Sequence, residues 1–380
     1  MNLKCFLPAA RVVRVGAVVA MIATLAACSG SPRPKPAELP PNVSLMGVRQ
    51  AWSVRIPAVN FPLVADVSGD TVAVAGSDGT VVMIDARAGK EIWRGNAGAP
   101  IATGVGSDGS LAAVVTTGGE LVAMQAGKVL WRQRLTAQAY TPPLVAGRRI
   151  FVSGADRTTS AWDGQSGRRL WSQTRTAENL VLKKPGVLMA VGDTLVAGIG
   201  GRLVGINPAN GTSRWEAPIA APRGTNDVER LVDLTGSVSR IGDNVCARAY
   251  SATVGCVDTA RGSLIWSKPA AGPDGLGGDD RYIYGVEDNG DVVAWRRGDG
   301  DRAWRTEIFK NRIMTAPLAA GRSLLIGDST GFLHVLSRED GSPLNRLTPD
   351  GSAIVATPVI AGNTVVVVTR NGGVFGYRPE

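Results

Sequence analysis

A tryptophan returns at residues 93, 131, 171, 215, 266 and 304, each time at the end of the same local pattern. A Gly-containing turn leads into a β-branched run; a second turn leads into another apolar run, then a Gly and the Trp. "SGDTVAVAGSDGTVVMIDARAGKEIWR" (68–94), "AGRRIFVSGADRTTSAWDGQSGRRLWS" (146–172) and "IGDNVCARAYSATVGCVDTARGSLIWS" (241–267) are three examples. Self-similarity at about 40 residues, with four short strands per unit, is the mark of propeller blades. Amphipathic helical periodicity is scarce, and Val- and Thr-rich runs bounded by Gly, Asp and Asn dominate, so the expected fold is all-β.

Closure of the ring is also legible. A seventh unit (320–346) carries Asn345 where the Trp should stand, and an eighth (361–380) stops before its last strand. Ahead of the first unit lies "VRQAWSVRI" (48–56), a Trp-bearing strand with no unit of its own. The expected architecture is an eight-bladed β-propeller of four-stranded antiparallel blades, with this N-terminal strand completing the last blade so that no long sheet edge is left at the seam. Asp78-Gly79, Asn289-Gly290 and Asn371-Gly372 supply tight turns between inner strands. One Trp per blade suits the filling of space between blades better than a ligand-stacking platform, which would not need a copy in every repeat.

The first 27 residues read as a targeting segment. Lys4, Arg11 and Arg14 precede the small, apolar run "VGAVVAMIATLAA" (15–27), and Cys28 follows directly. The run is shorter than the roughly 20 residues a spanning helix needs. "LAAC" is similar to the bacterial lipoprotein signal, which implies that Cys28 is acylated; Ser29 in place of Asp implies sorting to the outer membrane, on its periplasmic face. Residues 28–44, with five prolines, read as a semi-rigid tether, and 45–380 as the propeller. The leader holds three of the 41 basic and none of the 32 acidic residues, so the formal charge of +9 falls to +6 once it is removed. No basic cluster is interleaved with aromatics, and nucleic acid is not an expected partner.

Little else carries chemistry. "GVGSDG" (104–109) matches a dinucleotide fingerprint but leads into a strand, not a helix. His334, the only histidine, stands mid-strand without a triad context. The acidic loops 272–280 and 287–291 lack calcium-loop spacing. No metal and no cofactor are expected. Cys246 and Cys256 fall on the two inner strands of one unit, symmetric about Ser251. A structural disulfide is the expectation there, the alternative being two buried free thiols.

Signal, Pro-rich tether and Trp-ended blades together resemble the BamB family, propeller lipoproteins of the outer-membrane β-barrel assembly machinery. The resemblance covers essentially the whole chain. It implies a non-enzymatic accessory subunit that binds the periplasmic POTRA domains of the BamA insertase, alongside the other Bam subunits, with nascent outer-membrane proteins as further candidate partners, and is held to lipid through Cys28. The family's partner-binding pattern Leu-x-Leu-Arg falls on Leu180, Leu182 and Lys183; a second, Asp-Arg-Leu-x-Asp-x-Asp, falls on Glu229, Arg230, Leu231, Asp233 and Thr235. Lys183 replaces an Arg, whose bidentate fork it cannot reproduce, and Thr235 replaces an Asp.

The repeat register points to the same segments. Trp215 and Trp266 are 51 residues apart where other spacings run from 38 to 44, and the excess falls before Gly236. Leu180–Lys183 occupies the equivalent connection of the preceding repeat, so the two loops are expected side by side as one docking patch. The competing readings are a quinoprotein-like enzyme, which usually has an adjacent Cys pair and a carboxylate-rich metal site, and a periplasmic binding propeller for peptidoglycan or nascent strands.

Overall fold

The computed structural model describes residues 34–177 and 180–380; Cys28 and the leader lie outside the described residues. Thirty-two strands form eight antiparallel sheets of four. Blades 1 to 7 span 66–96, 106–134, 144–174, 188–218, 234–269, 277–306 and 318–347. Blade 8 takes three strands from 359–379 and its outermost one from Val48–Arg55, which pairs antiparallel with Gly373–Pro379. The ring is therefore closed by hydrogen bonds between the two ends of the chain, as expected.

Burial follows position within the blade. The middle strands Thr71–Ala75 and Thr80–Asp85 are buried nearly throughout because each face packs on a neighbouring blade. The outermost strand Lys128–Arg134 alternates between exposed and half-buried residues. The core consequently lies between blades: one apolar cluster joins Val366 of blade 8, Val82 of blade 1 and Val122 of blade 2. The innermost strands surround a central channel of about 1120 Å³.

The tryptophans knit this arrangement together. Trp52, Trp131, Trp171, Trp266 and Trp304 each donate the indole N–H to a backbone carbonyl of the next blade, at 2.8–2.9 Å. The ring lies on a glycine of that blade's outer turn: Gly167 beneath Trp131 has φ +70°, and a Cβ there would fall 2.6 Å from the ring. Gly89, Gly211, Gly262, Gly300 and Gly341 repeat this arrangement. Only a residue without a side chain permits both the left-handed turn and the close approach. Every blade also carries a one-residue register shift just before this position, between Met83 and Ile84 in blade 1 and between Ala123 and Met124 in blade 2. Such a bulge turns the strand. It aims the Trp at the neighbouring blade and leaves the preceding Ile92, Leu130 or Ile265 pointing out to solvent.

Asn345 marks the seam. Blade 8 has no continuous turn to supply a left-handed glycine, since its outermost strand comes from the N-terminal side. Asn345 instead donates to the Met46 carbonyl at 2.7 Å and accepts from Asn42 at 3.0 Å. The segment 37–46, read from sequence as part of the tether, is strapped to the body. Leu45 N–H donates to the Leu344 carbonyl, and Ala37 N–H to that of Lys310. The Ala37 carbonyl accepts from Arg312 Nε and Nη2 at 3.2 and 3.0 Å. The compact unit thus begins at Ala37, not at residue 45. Arg312 is held by buried Asp328 at 3.1 Å, which also accepts from His334 Nε2 at 3.0 Å. The lone histidine packs against Phe309, with ring centres 4.6 Å apart and planes tilted by 59°, and serves this strap. Cys246 and Cys256 are opposite each other on the middle strands of blade 5, fully buried and disulfide-bonded, with Cα atoms 4.0 Å apart.

Three outcomes are expected. Trp131→Ala should lower unfolding free energy by about 3 kcal/mol in urea titration, whereas Asn345→Trp should also destabilise, because the Met46 carbonyl loses its donor and no glycine turn receives the ring. Burial pushes the Asp328 carboxyl up, but the bonds from His334, Phe332 N–H and Thr330 outweigh it and bring it down to about 2. An unfolded Asp titrates near 3.9, so the stability Asp328 contributes is complete above about pH 4 and is lost as pH falls from there toward 2. Asp328→Asn should flatten the acid limb of stability against pH in that window.

Candidate functional site

Each blade's outermost strand hands the chain to the innermost strand of the next, and because all blades run in the same sense these connections share one face. The turns between second and third strands open on that face too. Here lie the two segments singled out above: the connection from blade 3 to blade 4, of which Leu180–Pro185 is described, and 219–233 between blades 4 and 5.

One carboxylate joins them. Asp233 Oδ2 accepts the Leu182 backbone N–H at 2.9 Å, and Oδ1 accepts Arg157 Nη1 at 2.7 Å. Arg157 Nη2 donates to the Leu180 carbonyl at 2.8 Å. The side chains of Arg157 and Asp233 are each only 11 % exposed. Asp233 is thus turned inward and holds the two connections and the blade 3 turn as one unit, with no face of its own left for a partner. Arg157 was not visible from sequence: it sits in a polar turn at left-handed φ +63°, 76 residues from Asp233, and nothing local marks it.

The longer loop is built from its own residues. Asn226 to Arg230 forms one helical turn, with Arg230 N–H donating to the Asn226 carbonyl. Asn226 Oδ1 caps Glu229 N–H at 2.9 Å, and the Glu229 carboxylate accepts Thr225 N–H at 2.8 Å. That reciprocal pairing is a form of capping box, and the Thr225 N–H holds the Glu229 carboxyl below its ordinary range. Val232 and Leu234 drop into the core between blades 4 and 5. Thr235 is buried beneath them, its hydroxyl without a protein partner.

The outward surface sets apolar tips among exposed polar residues, Arg223, Asp227 and Glu229 included. Val228 at the tip of the turn is 73 % exposed and Leu180 38 % exposed, while Leu182 and Leu231 are half-buried between the loops. Lys183 is exposed; Arg230 is half-buried. The next residue, Lys184, is committed to Asp274 at 2.7 Å. Val228 is the outward residue missing from the family pattern. The arrangement suits macromolecular docking: two apolar tips on a braced base, with charge at the margin.

The other sequence motifs have structural settings. "GVGSDG" runs through the short strand Gly106–Ser107 into Leu111–Val115. Glu287, in an acidic loop, pairs with the fully buried Arg248 at 2.9 Å. Among the described residues no group of three potential metal ligands occurs, and no helix is long and apolar enough to cross a membrane.

Comparison with known proteins gives a consistent set of relatives. The family model described as "Outer membrane protein assembly factor BamB" matches residues 63–306. A protein of that description from Burkholderia pseudomallei is 37 % identical over 370 residues, covering 96 % of this chain and 97 % of the relative. One from Bordetella pertussis is 35 % identical, covering 92 % of each. Among solved structures, BamB from Moraxella catarrhalis superposes with a TM-score of 0.78 at 23 % identity, over 87 % of this chain and 99 % of that one. A quinohemoprotein alcohol dehydrogenase from Comamonas testosteroni reaches 0.66 at 14 % identity, over 90 % of this chain and 78 % of that one, a likeness of fold alone.

Breaking the clasp should loosen the loops before it threatens the ring. Asp233→Ala leaves Arg157 without its carboxylate, and removing one partner of a buried pair costs about 3 kcal/mol. Hydrogen exchange at the Leu182 amide should accelerate markedly, while amides in the middle strands of blades 1 and 8 keep their protection.

Proposed function

Because the chain belongs to the BamB family of outer membrane protein assembly factors, we propose that it is a non-enzymatic docking subunit of the outer-membrane β-barrel assembly machinery, anchored at the periplasmic face through an acylated Cys28. Its two braced loops bind the POTRA domains of the BamA insertase, which places the propeller beside the other Bam subunits and within reach of nascent outer-membrane proteins. The observation that carries this reading is the clasp made by Asp233. A buried ion pair and two bonds to the Leu180–Leu182 backbone hold the apolar tip Leu180 in place before any partner arrives, and the capped turn 225–230 holds Val228. Preorganisation of that kind reduces the ordering entropy lost on association, and a rigid ring with no hinge between blades suits a scaffold.

Roles divide accordingly. Leu180 and Val228 are the contact residues, with Leu182 and Leu231 supporting them; Lys183 and Arg230 supply marginal charge. Lys183 offers a point charge where the family pattern has a guanidinium, so its contribution is electrostatic attraction without a bidentate bond. Asp233 acts by positioning, and Thr235 lies too deep to touch a partner.

The test is affinity purification from solubilised outer membranes. Leu180→Asp combined with Val228→Asp replaces two exposed side chains, so the fold should survive while co-purified insertase falls at least tenfold. Retention of the insertase by that variant at wild-type yield would remove the loops from the interface.

A further inference from the structure

On the same face, beside Lys183, the connections from blade 8 to 1, from 1 to 2 and from 2 to 3 enclose a groove of about 320 Å³. Phe61, Pro62, Pro100, Ala102 and Tyr140 form its walls, and Lys183 and Lys184 close it on the side of the docking loop. The volume lies at the low end of the range for ligand pockets. It suits one or two side chains, and the wall is predominantly apolar.

The two lysines are not equivalent. Lys184 Nζ is satisfied by Asp274 at 2.7 Å and the Pro273 carbonyl at 3.2 Å. Lys183 is exposed and forms no ion pair or hydrogen bond among the described residues. No carboxylate lines the groove. An occupant therefore meets an apolar wall next to one cation that has no carboxylate partner among the described residues.

We propose that this groove is a second anchor point of the docking surface, taking an apolar side chain of the docking partner whose neighbouring residue is a carboxylate. The apolar group fills the space between Phe61 and Tyr140; the carboxylate meets Lys183. The inference rests on the docking reading above and specifies its partner chemistry: an acidic segment bearing an aromatic or large aliphatic residue. Enclosed pockets that receive one large side chain are where interface binding energy concentrates, while a charge at the rim acts through attraction and its salt dependence.

The experiment measures binding of the purified full chain to purified full-length BamA insertase by calorimetry, at low and high salt. Thr117→Trp fills the groove from its exposed rim without entering the core, and Lys183→Glu reverses the charge. Expected are at least tenfold weaker binding for Thr117→Trp, about fivefold for Lys183→Glu, and a flattened salt dependence for the latter, all at wild-type thermal unfolding. Wild-type affinity in both groove variants, with binding lost in the Leu180→Asp, Val228→Asp chain, would overturn the groove while leaving the docking loops intact. Wild-type affinity in the loop variant with loss in the groove variants would support the groove and sink the loop reading instead.

Discussion

The contact between a closing-strand tryptophan and a bare glycine on the next blade is what the ring depends on. Each blade is a twisted four-stranded sheet with two buried middle strands, and stacking such sheets radially leaves a widening gap toward the rim. An indole fills that gap, a glycine at left-handed φ admits it, and the indole N–H finds a carbonyl instead of being buried without a partner. The strand bulge before each Trp completes the device by turning the ring sideways. It also explains why Ile92, Leu130 and Ile265 face solvent, a cost in exposed apolar surface accepted at a regular position.

The exception at the seam follows from the same geometry. Where the borrowed strand joins there is no continuous outer turn, hence no left-handed glycine to receive a Trp: Gly47, just before the strand, meets Glu380 instead. Asn345 and the strap 37–46 take over, with polar bonds in place of ring stacking. The buried Asp328–Arg312 pair, steadied by His334, fixes the strap's first residue. The strap joins blade 7 to the segment that leads into the borrowed strand.

Function is laid over this frame. The inter-blade connections share a face because the blades share a direction, so lengthening two adjacent connections makes a surface without altering the ring. Two carboxylates in those loops have structural duties: exposed Glu229 caps its own turn, and buried Asp233 braces its neighbour. The apolar tips face outward beside Lys183, Arg223 and Asp227. A charged residue in a surface loop is easily read as a contact; burial here assigns the carboxylate a mechanical role.

Eight blades, the borrowed strand and the position of the long loop were legible in the amino-acid sequence, because repetition is a one-dimensional property and each unit announces its boundary with a Gly turn and a Trp. The opposition of Cys246 and Cys256 was legible for the same reason, being set by strand register about one short turn. Tertiary structure alone decided that Arg157 completes the clasp between the two loops, that residues 37–46 belong to the body, that Val228 is outermost and Asp233 is not, and that Lys183 borders a groove made by three other blade connections. Each of these depends on which segments the closed ring brings together across dozens to hundreds of residues, and on which way a side chain turns at a loop. Local pattern carries no record of either.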